Sequence, residues 1–440
     1  MKNPALSMLL IFMVLMLSAC GGGGGSIISS NPLSASASGG TTTSPPTSVQ
    51  SSVTLPASLS GSALNTLALT IDGGVASLRP SNPYINGVFT TITLCVPNTS
   101  QCQNIDHVLV DTGSVGLRLL AQSAGGEFYL PLPSVTDAGT GSAVYECTQF
   151  ADGYTWGSMN KAQINLSGET PVTVPVQVIG ANSAPPVPAS CIQNATVQNA
   201  ENTLSTLASN GIIGIGAFTQ DCGLSCLPQP YYFCSNSVCS YPSTPPALAE
   251  QAVNPISALK QDNNGSILVL PSIGSTGASS VAGQMILGIN TQANNMIPGT
   301  APQLILDNNG QLGRATWSSS TLNSFSTSYF DSGTSVLEIG SSLIPACSSG
   351  NGFDCPATLL QGTTQVFDTL GSRSQFTLGI ANADQLFSSF PNNYAFSDLG
   401  AAAPNDQTLV LGLPFFYGRE VALTISTAQQ NAEISYWNVP

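Results

Sequence analysis

The chain of 440 residues has 8 basic and 22 acidic side chains, a formal charge of −14, and only 7% charged residues. With no Lys/Arg cluster anywhere, this balance excludes nucleic-acid binding and a basic membrane-surface patch. The length suffices for a large core, and for two domains as easily as one.

The chain opens on "MKNPALSMLLIFMVLMLSAC", with Lys2 ahead of an apolar run over residues 9–17. That run is too short to cross a bilayer, which takes about 20 residues, so residues 1–20 read as a signal segment. The closing "LSAC" resembles the bacterial lipoprotein cleavage box. The resemblance implies that Cys20 becomes the lipidated first residue. Gly21 in place of an acidic residue implies an outer-membrane location, with the lipid as the sole membrane attachment.

Residues 21–65 are built largely of Gly, Ser, Thr, Pro and Ala and are expected to form a flexible tether. Beyond it, short apolar runs alternate with Gly, Asn, Ser and Pro: "FTTITLCV", "DHVLVDTG", "AQINLSG", "TVPVQVIG", "GSILVL", "GQMILGIN" and "APQLILD". Their length and β-branched content predict strands. Only "ENTLSTLASNG" and "NPISALKQDNNG" carry helix start and stop signals. The predicted class is mostly β, with two or three short helices.

Eleven cysteines less Cys20 leave ten, an even set that suits an oxidising compartment. Cys95 and Cys102, Cys222 and Cys226, Cys234 and Cys239, and Cys347 and Cys355 lie close in sequence. Cys147 and Cys191 remain for each other or for re-pairing. Zinc binding through "CGLSC" or "CSNSVC" is the weaker reading, because no histidine lies nearby.

The sequence repeats one pattern. An apolar run leads into "DTGS" at Asp111, and a second leads into "DSGTS" at Asp331. "NGIIGIGAF" follows the first and "TLVLGLPFF" the second, each an apolar strand ending in glycine. A single DTG is also what an Asx-type turn after a strand looks like. Two copies suggest paired carboxylates. Gly113 and Gly333 allow a sharp reversal beneath each acid. Ser114 and Thr334 are placed to hydrogen-bond the carboxylates, and Thr112 and Ser332 to donate across to the opposite half. Two carboxyls brought close cannot both ionise. One then activates a water while the other polarises a carbonyl.

From about residue 80 onward the chain resembles the pepsin-like aspartic proteases. "FADGYTWGSM" resembles their flap hairpin, with Phe150 and Gly153 in flap positions. "NGIIGIGAF" resembles the strand threading the first active-site loop. "PISALKQDNNGSILVLPSIGSTGASSVAGQMILGIN" resembles the end of the first lobe, and "LVLGLPFFYGREVALTI" the closing segment. The resemblance implies a bilobal pepsin-like fold, with lobes over residues 66–262 and 263–440 and catalytic Asp111 and Asp331. It also implies a polypeptide substrate, a monomer, no cofactor and no metal. Aspartic proteases are a standard example of two carboxylates sharing one proton. The chain departs from the family at three places. Phe150 replaces the flap tyrosine, Arg118 the tryptophan seven residues after the first aspartate, and Leu413 an aspartate of the closing segment. Tyr145, Tyr154 and Trp156 lie nearby in the hairpin. The alternative reading is an inactive pepsin-like lipoprotein that serves as a binding or structural protein of the envelope.

The single histidine, His107, would have to serve any Ser-His-Asp or Cys-His site. A place at a strand start is the plainer account. "GGGGG" lacks a following helix, and "DNNG" at 262 and 307 lacks the later acidic ligands of a calcium loop.

Overall fold

Short runs of Val, Ile, Thr and Leu, each cut off by a turn residue, cannot sustain helices and pair as strands. The computed structural model describes residues 51–56, 63–79, 81–194, 198–226, 230–319, 322–340, 344–350, 352–403 and 405–440. The signal segment, Cys20 and the tether up to residue 50 lie outside the described residues.

The first part of the chain supplies β1 (Ser52–Thr54), β2 (Thr66–Ile71), β3 (Phe89–Cys95), β4 (Cys102–Asp111), β5 (Val115–Leu120), β6 (Ala143–Gln149), β7 (Tyr154–Asn165), β8 (Val172–Ile179) and β9 (Gly211–Ile215). Then come β10 (Tyr231–Ser235), β11 (Val238–Ser240), β12 (Gly265–Leu270), β13 (Ser280–Leu287) and β14 (Gln303–Ile305). The last part adds β15 (Ala315–Ser318), β16 (Leu322–Phe325), β17 (Thr327–Phe330), β18 (Leu337–Ile339), β19 (Leu360–Phe367), β20 (Arg373–Ile380), β21 (Gly400–Ala402), β22 (Thr408–Leu411), β23 (Arg419–Thr424) and β24 (Glu433–Asn438). The α-helices among the described residues are α1 (Ala189–Asn194), α2 (Leu204–Leu207), α3 (Ala383–Ser389) and α4 (Leu413–Phe416). The molecule is mostly β with few short helices, as its sequence predicts.

One arrangement occurs twice. In the first half β9 runs parallel to β4 and antiparallel to β5, and β8 continues parallel to β5. In the second half β22 runs parallel to β17 and antiparallel to β18, and β21 continues parallel to β18. Each half therefore lays a late strand between the two arms of its aspartate turn. In the first half β3, β4, β9, β5, β8 and β7 pair in that order, and β7 returns to β3, closing a six-stranded barrel. Closure removes the open edges that would otherwise invite pairing with other chains. β12 and β13 join β2 to β23, so no break in the sheet falls at residues 262/263. The main apolar core runs continuously through both halves, from Leu69 and Ile71 to Leu423 and Ile434.

Two expectations need correction. Ser52–Thr54, assigned to the tether, pairs in parallel with Ser280–Ala282. Polar side chains do not prevent this, because the ladder uses backbone groups, and the adjoining Leu55 is buried against Ile267 and Val269. The helix predicted in "NPISALKQDNNG" is a series of turns. Asn254 captures the local backbone, accepting from the Ile256 N–H at 3.1 Å, while its amide donates to the Gly216 carbonyl at 2.8 Å. "ENTLSTLASNG" does form α2, which ends at Ala208 in the left-handed conformation, φ 55°.

All ten remaining cysteines pair. The disulfides are Cys95–Cys102, Cys147–Cys191, Cys222–Cys226, Cys234–Cys239 and Cys347–Cys355. The sulfurs of Cys347 and Cys355, close to Asp384, therefore offer no free thiolate to a metal.

His107 sits in β4 with φ 47°. Its ring nitrogens lie 2.8 Å from Asp106 and 3.1 Å from Asp72, and Asp72 also pairs with Arg79 at 2.5 Å. This cluster edges a groove of about 440 Å³ that contains neither Asp111 nor Asp331. Partial burial opposes the imidazolium, but the hydrogen bond from Asp72 and the charge of Asp106 outweigh it and raise the His107 pKa. A raised cation pKa adds stability that is full below the unfolded value of about 6.5 and is lost as pH climbs through the folded value. His107→Gln is therefore expected to cost up to about 1 kcal/mol in urea denaturation below pH 6.5. The deficit should shrink with rising pH, and a constant deficit would refute the charged pairing.

Candidate active site

β4 packs on both faces, Val108 and Val110 in the main core and Leu109 in a second apolar cluster, which is why "VLV" is fully apolar. Val108 and Val110 are completely buried. That burial carries Asp111, the last residue of β4, into the interior at 1% exposure, and Phe330 at the end of β17 does the same for Asp331 at 0%. Neither turn glycine adopts a left-handed conformation. At Gly333 the requirement is space, since a Cβ there would lie 2.8 Å from Asp111 Oδ1. Gly412 meets the same constraint beneath the second turn, where a Cβ would stand 2.0 Å from the Val336 carbonyl oxygen.

The two turns bind each other reciprocally. The Thr112 N–H donates to Ser332 Oγ at 3.1 Å, and the Ser332 N–H donates to Thr112 Oγ1 at 2.9 Å. The hydroxyls complete the lattice, Thr112 donating to the Phe330 carbonyl at 3.3 Å and Ser332 to the Val110 carbonyl at 2.8 Å. Within each turn the glycine N–H donates to its own aspartate, at 2.7 Å for Gly113 and 2.9 Å for Gly333. Ser114 and Thr334 donate to the second oxygens of Asp111 and Asp331. The supporting residues predicted from sequence are thus all brought together.

Asp111 and Asp331 lie side by side: a Cβ at Gly333 would stand 2.8 Å from Asp111 Oδ1 and 3.2 Å from Asp331 Oδ1, and each carboxyl acts on the ionisation of the other. Burial raises both carboxyls, but unequally. Ser114, the Asp331 proton, Gly113 and the Arg118 charge pull Asp111 back down, whereas the Asp111 charge pushes Asp331 further up. The pair therefore loses its two protons in separate steps, the second well above the usual carboxylate range.

β6 and β7 form the expected hairpin, closed by the Phe150 N–H donating to the Gly153 carbonyl at 2.8 Å. Phe150 is buried in an apolar cluster with Tyr84, Phe89 and Ile212. Arg118, in β5, places its guanidinium 5.8 Å from the Phe150 ring and donates to Thr148 Oγ1 at 2.8 Å. A cationic contact thus links Arg118 to Phe150. The guanidinium also pairs with Glu146 at 2.7 Å and approaches Asp221 to 3.8 Å, all three side chains being buried or nearly so. Burial and the Glu146 carboxylate hold Asp221 well above the usual carboxylate range, so it stays protonated and the group carries no excess negative charge. Leu413, at the departure in the closing segment, is fully buried, and its N–H donates to the Thr334 carbonyl at 2.7 Å.

Tyr145 and Trp156 stack at 5.3 Å, and the indole donates to the Pro185 carbonyl at 2.9 Å. With Tyr154 they pack around Cys147 and Cys191. Glu146, Asp221, Tyr84, Asp152 and Glu201 were not legible as site residues, since each stands alone in a sequence with no local pattern. Glu201 is pushed up to about 8 by burial and by the charge of Asp152 at the hairpin tip.

Arg118→Met strands the Glu146 charge in the interior and is expected to cost about 3–5 kcal/mol in chemical denaturation. Adding Glu146→Gln should recover most of the loss. Failure of that rescue would mean that packing, not charge, dominates at this position.

No curated protein matches the chain. The model of one family, described as "Protein of unknown function (DUF3443)", matches residues 61–438. The chain belongs to that family.

Proposed function

We propose that the protein is an aspartic endopeptidase of bilobal, pepsin-like architecture, acting through Asp111 and Asp331. The observation that carries this reading is the pair of buried carboxyls set side by side, held by turns that bind each other reciprocally. Burying two acids together is costly, and acids perturbed in this way cluster at functional sites. The duplicated strand arrangement around the two turns supports the bilobal reading.

In the proposed reaction Asp111 takes a proton from a water as its oxygen bonds to the peptide carbonyl carbon. Asp331 gives its proton to the carbonyl oxygen. Asp111 then passes its proton to the amide nitrogen as the C–N bond breaks, and Asp331 recovers a proton from the diol. No metal or covalent intermediate takes part.

The five disulfides support export to an oxidising compartment. With the "LSAC" box they favour an outer-membrane lipoprotein anchored through Cys20. Cys20→Ala should move the protein from the membrane to the soluble fraction, and unchanged fractionation would sink the anchor.

Asp111→Asn and Asp331→Asn should each lower kcat/KM on denatured protein by about 10²–10⁴-fold. Equal cleavage by wild type and both variants would remove the dyad from the chemistry. Both carboxyls titrate above the ordinary aspartate value of about 3.9, with Asp331 the higher. The rate should therefore rise with pH as Asp111 ionises and fall as Asp331 does, giving a bell whose acidic limb lies above pH 4. A wild type that neither cleaves nor binds a statine-containing peptide would instead favour an inactive envelope protein.

A further inference from the structure

Tyr84 stands on the loop between β2 and β3. The Tyr84 N–H donates to the Gly73 carbonyl at 3.0 Å, and the ring meets Phe89 edge-on at 5.3 Å. The loop is fastened to both aspartate turns. The Val88 carbonyl accepts from the N–H of Val110, the residue before Asp111, at 2.8 Å. Asn86, fully buried, donates to the carbonyls of Ser335 and Phe396 at 2.8 and 2.9 Å, and accepts from the Phe396 N–H and the Tyr417 hydroxyl. Tyr84 therefore stands two residues ahead of a segment anchored to both turns. It also shares an apolar cluster with Phe150 of the hairpin.

Yet its hydroxyl has no hydrogen-bond partner among the described residues, although the residue is only 4% exposed. A buried phenol almost always finds a partner, and one left without costs stability. Burial and the charges of Asp152, Asp111, Asp331 and Glu201 hold its pKa well above the ordinary phenol range. The hydroxyl thus remains a neutral donor throughout the range in which the dyad works. Around it the four nearby ionisable groups are acids, which an approaching peptide cannot use as charged donors.

We infer that Tyr84 is a substrate-binding residue, its hydroxyl donating to a backbone carbonyl of a peptide lying between the hairpin and the aspartate pair. This rests on the endopeptidase reading. It supplies from a different loop the donor that Phe150 lacks. Gly87 preserves the ring's position, since a Cβ there would stand 2.6 Å from Tyr84 Cδ1.

The test is Tyr84→Phe in the purified full-length protein, with wild type and Asp111→Asn alongside. Kinetics on an unfolded peptide, affinity for a statine-containing peptide, and Tm are read together. Loss of one neutral hydrogen bond predicts kcat/KM down about tenfold, mostly through KM, and inhibitor affinity weaker by a similar factor. Tm should hold or rise, because the change removes an unpaired buried hydroxyl. Unchanged kcat/KM and inhibitor affinity would overturn the assignment while leaving the dyad standing. A fall in Tm would also overturn it, marking the hydroxyl as structural. A wild type without cleavage or inhibitor binding would bring down both the endopeptidase reading and this one.

Discussion

Two carboxyl groups from opposite halves of the chain are buried side by side, and each acts on the ionisation of the other. Bringing them there costs several kcal/mol per ion if both were charged, so the surroundings must fix their separation and their protonation together. The reciprocal Thr112 and Ser332 bonds fix the separation, because neither turn can shift without breaking the other's backbone hydrogen bond. Ser114, Thr334 and the two glycine amides fix the orientation of each carboxyl. The duplicated strand arrangement is the scaffold that lets two short turns meet at this point.

Asymmetry enters through what lies behind the turns. Arg118 is the buried cation nearest in chain position to either aspartate, and its charge favours the ionised form of Asp111. Most of that charge is answered by Glu146 at 2.7 Å, so its influence on the dyad is modest. Its larger role is to join β5 to the hairpin strand β6, where an apolar residue would offer only packing. A nearly symmetric fold thereby holds two chemically different acids.

Much of this was legible in the sequence. The mostly β class, the even set of ten cysteines and the eight residues of the two turns follow from apolar runs, cysteine count and a repeated motif. The pairing of Cys147 with Cys191 is left open by the sequence, because the two lie far apart in it. The failures have physical reasons. Asn254 diverted a helix-like pattern into turns because a side-chain amide can outcompete the helical backbone bonds. Ser52–Thr54 joined a sheet because strand pairing at an edge makes little demand on side chains. Glu146, Asp221, Glu201 and Tyr84 are single residues brought together by folding across long separations, and no local window contains two of them in a telling relation.

The Cys147–Cys191 disulfide ties the first hairpin strand to α1. A few residues on, the backbone at Asn199 and Glu201 clasps Tyr154 on the second strand, by hydrogen bonds of 2.8 Å in each direction. The hairpin is thus a two-ply structure near its tip, stapled covalently on one strand and laced by amides on the other. Hairpin and backing are therefore fastened to each other at two points, one covalent and one through backbone amides, so that neither layer can shift without the other.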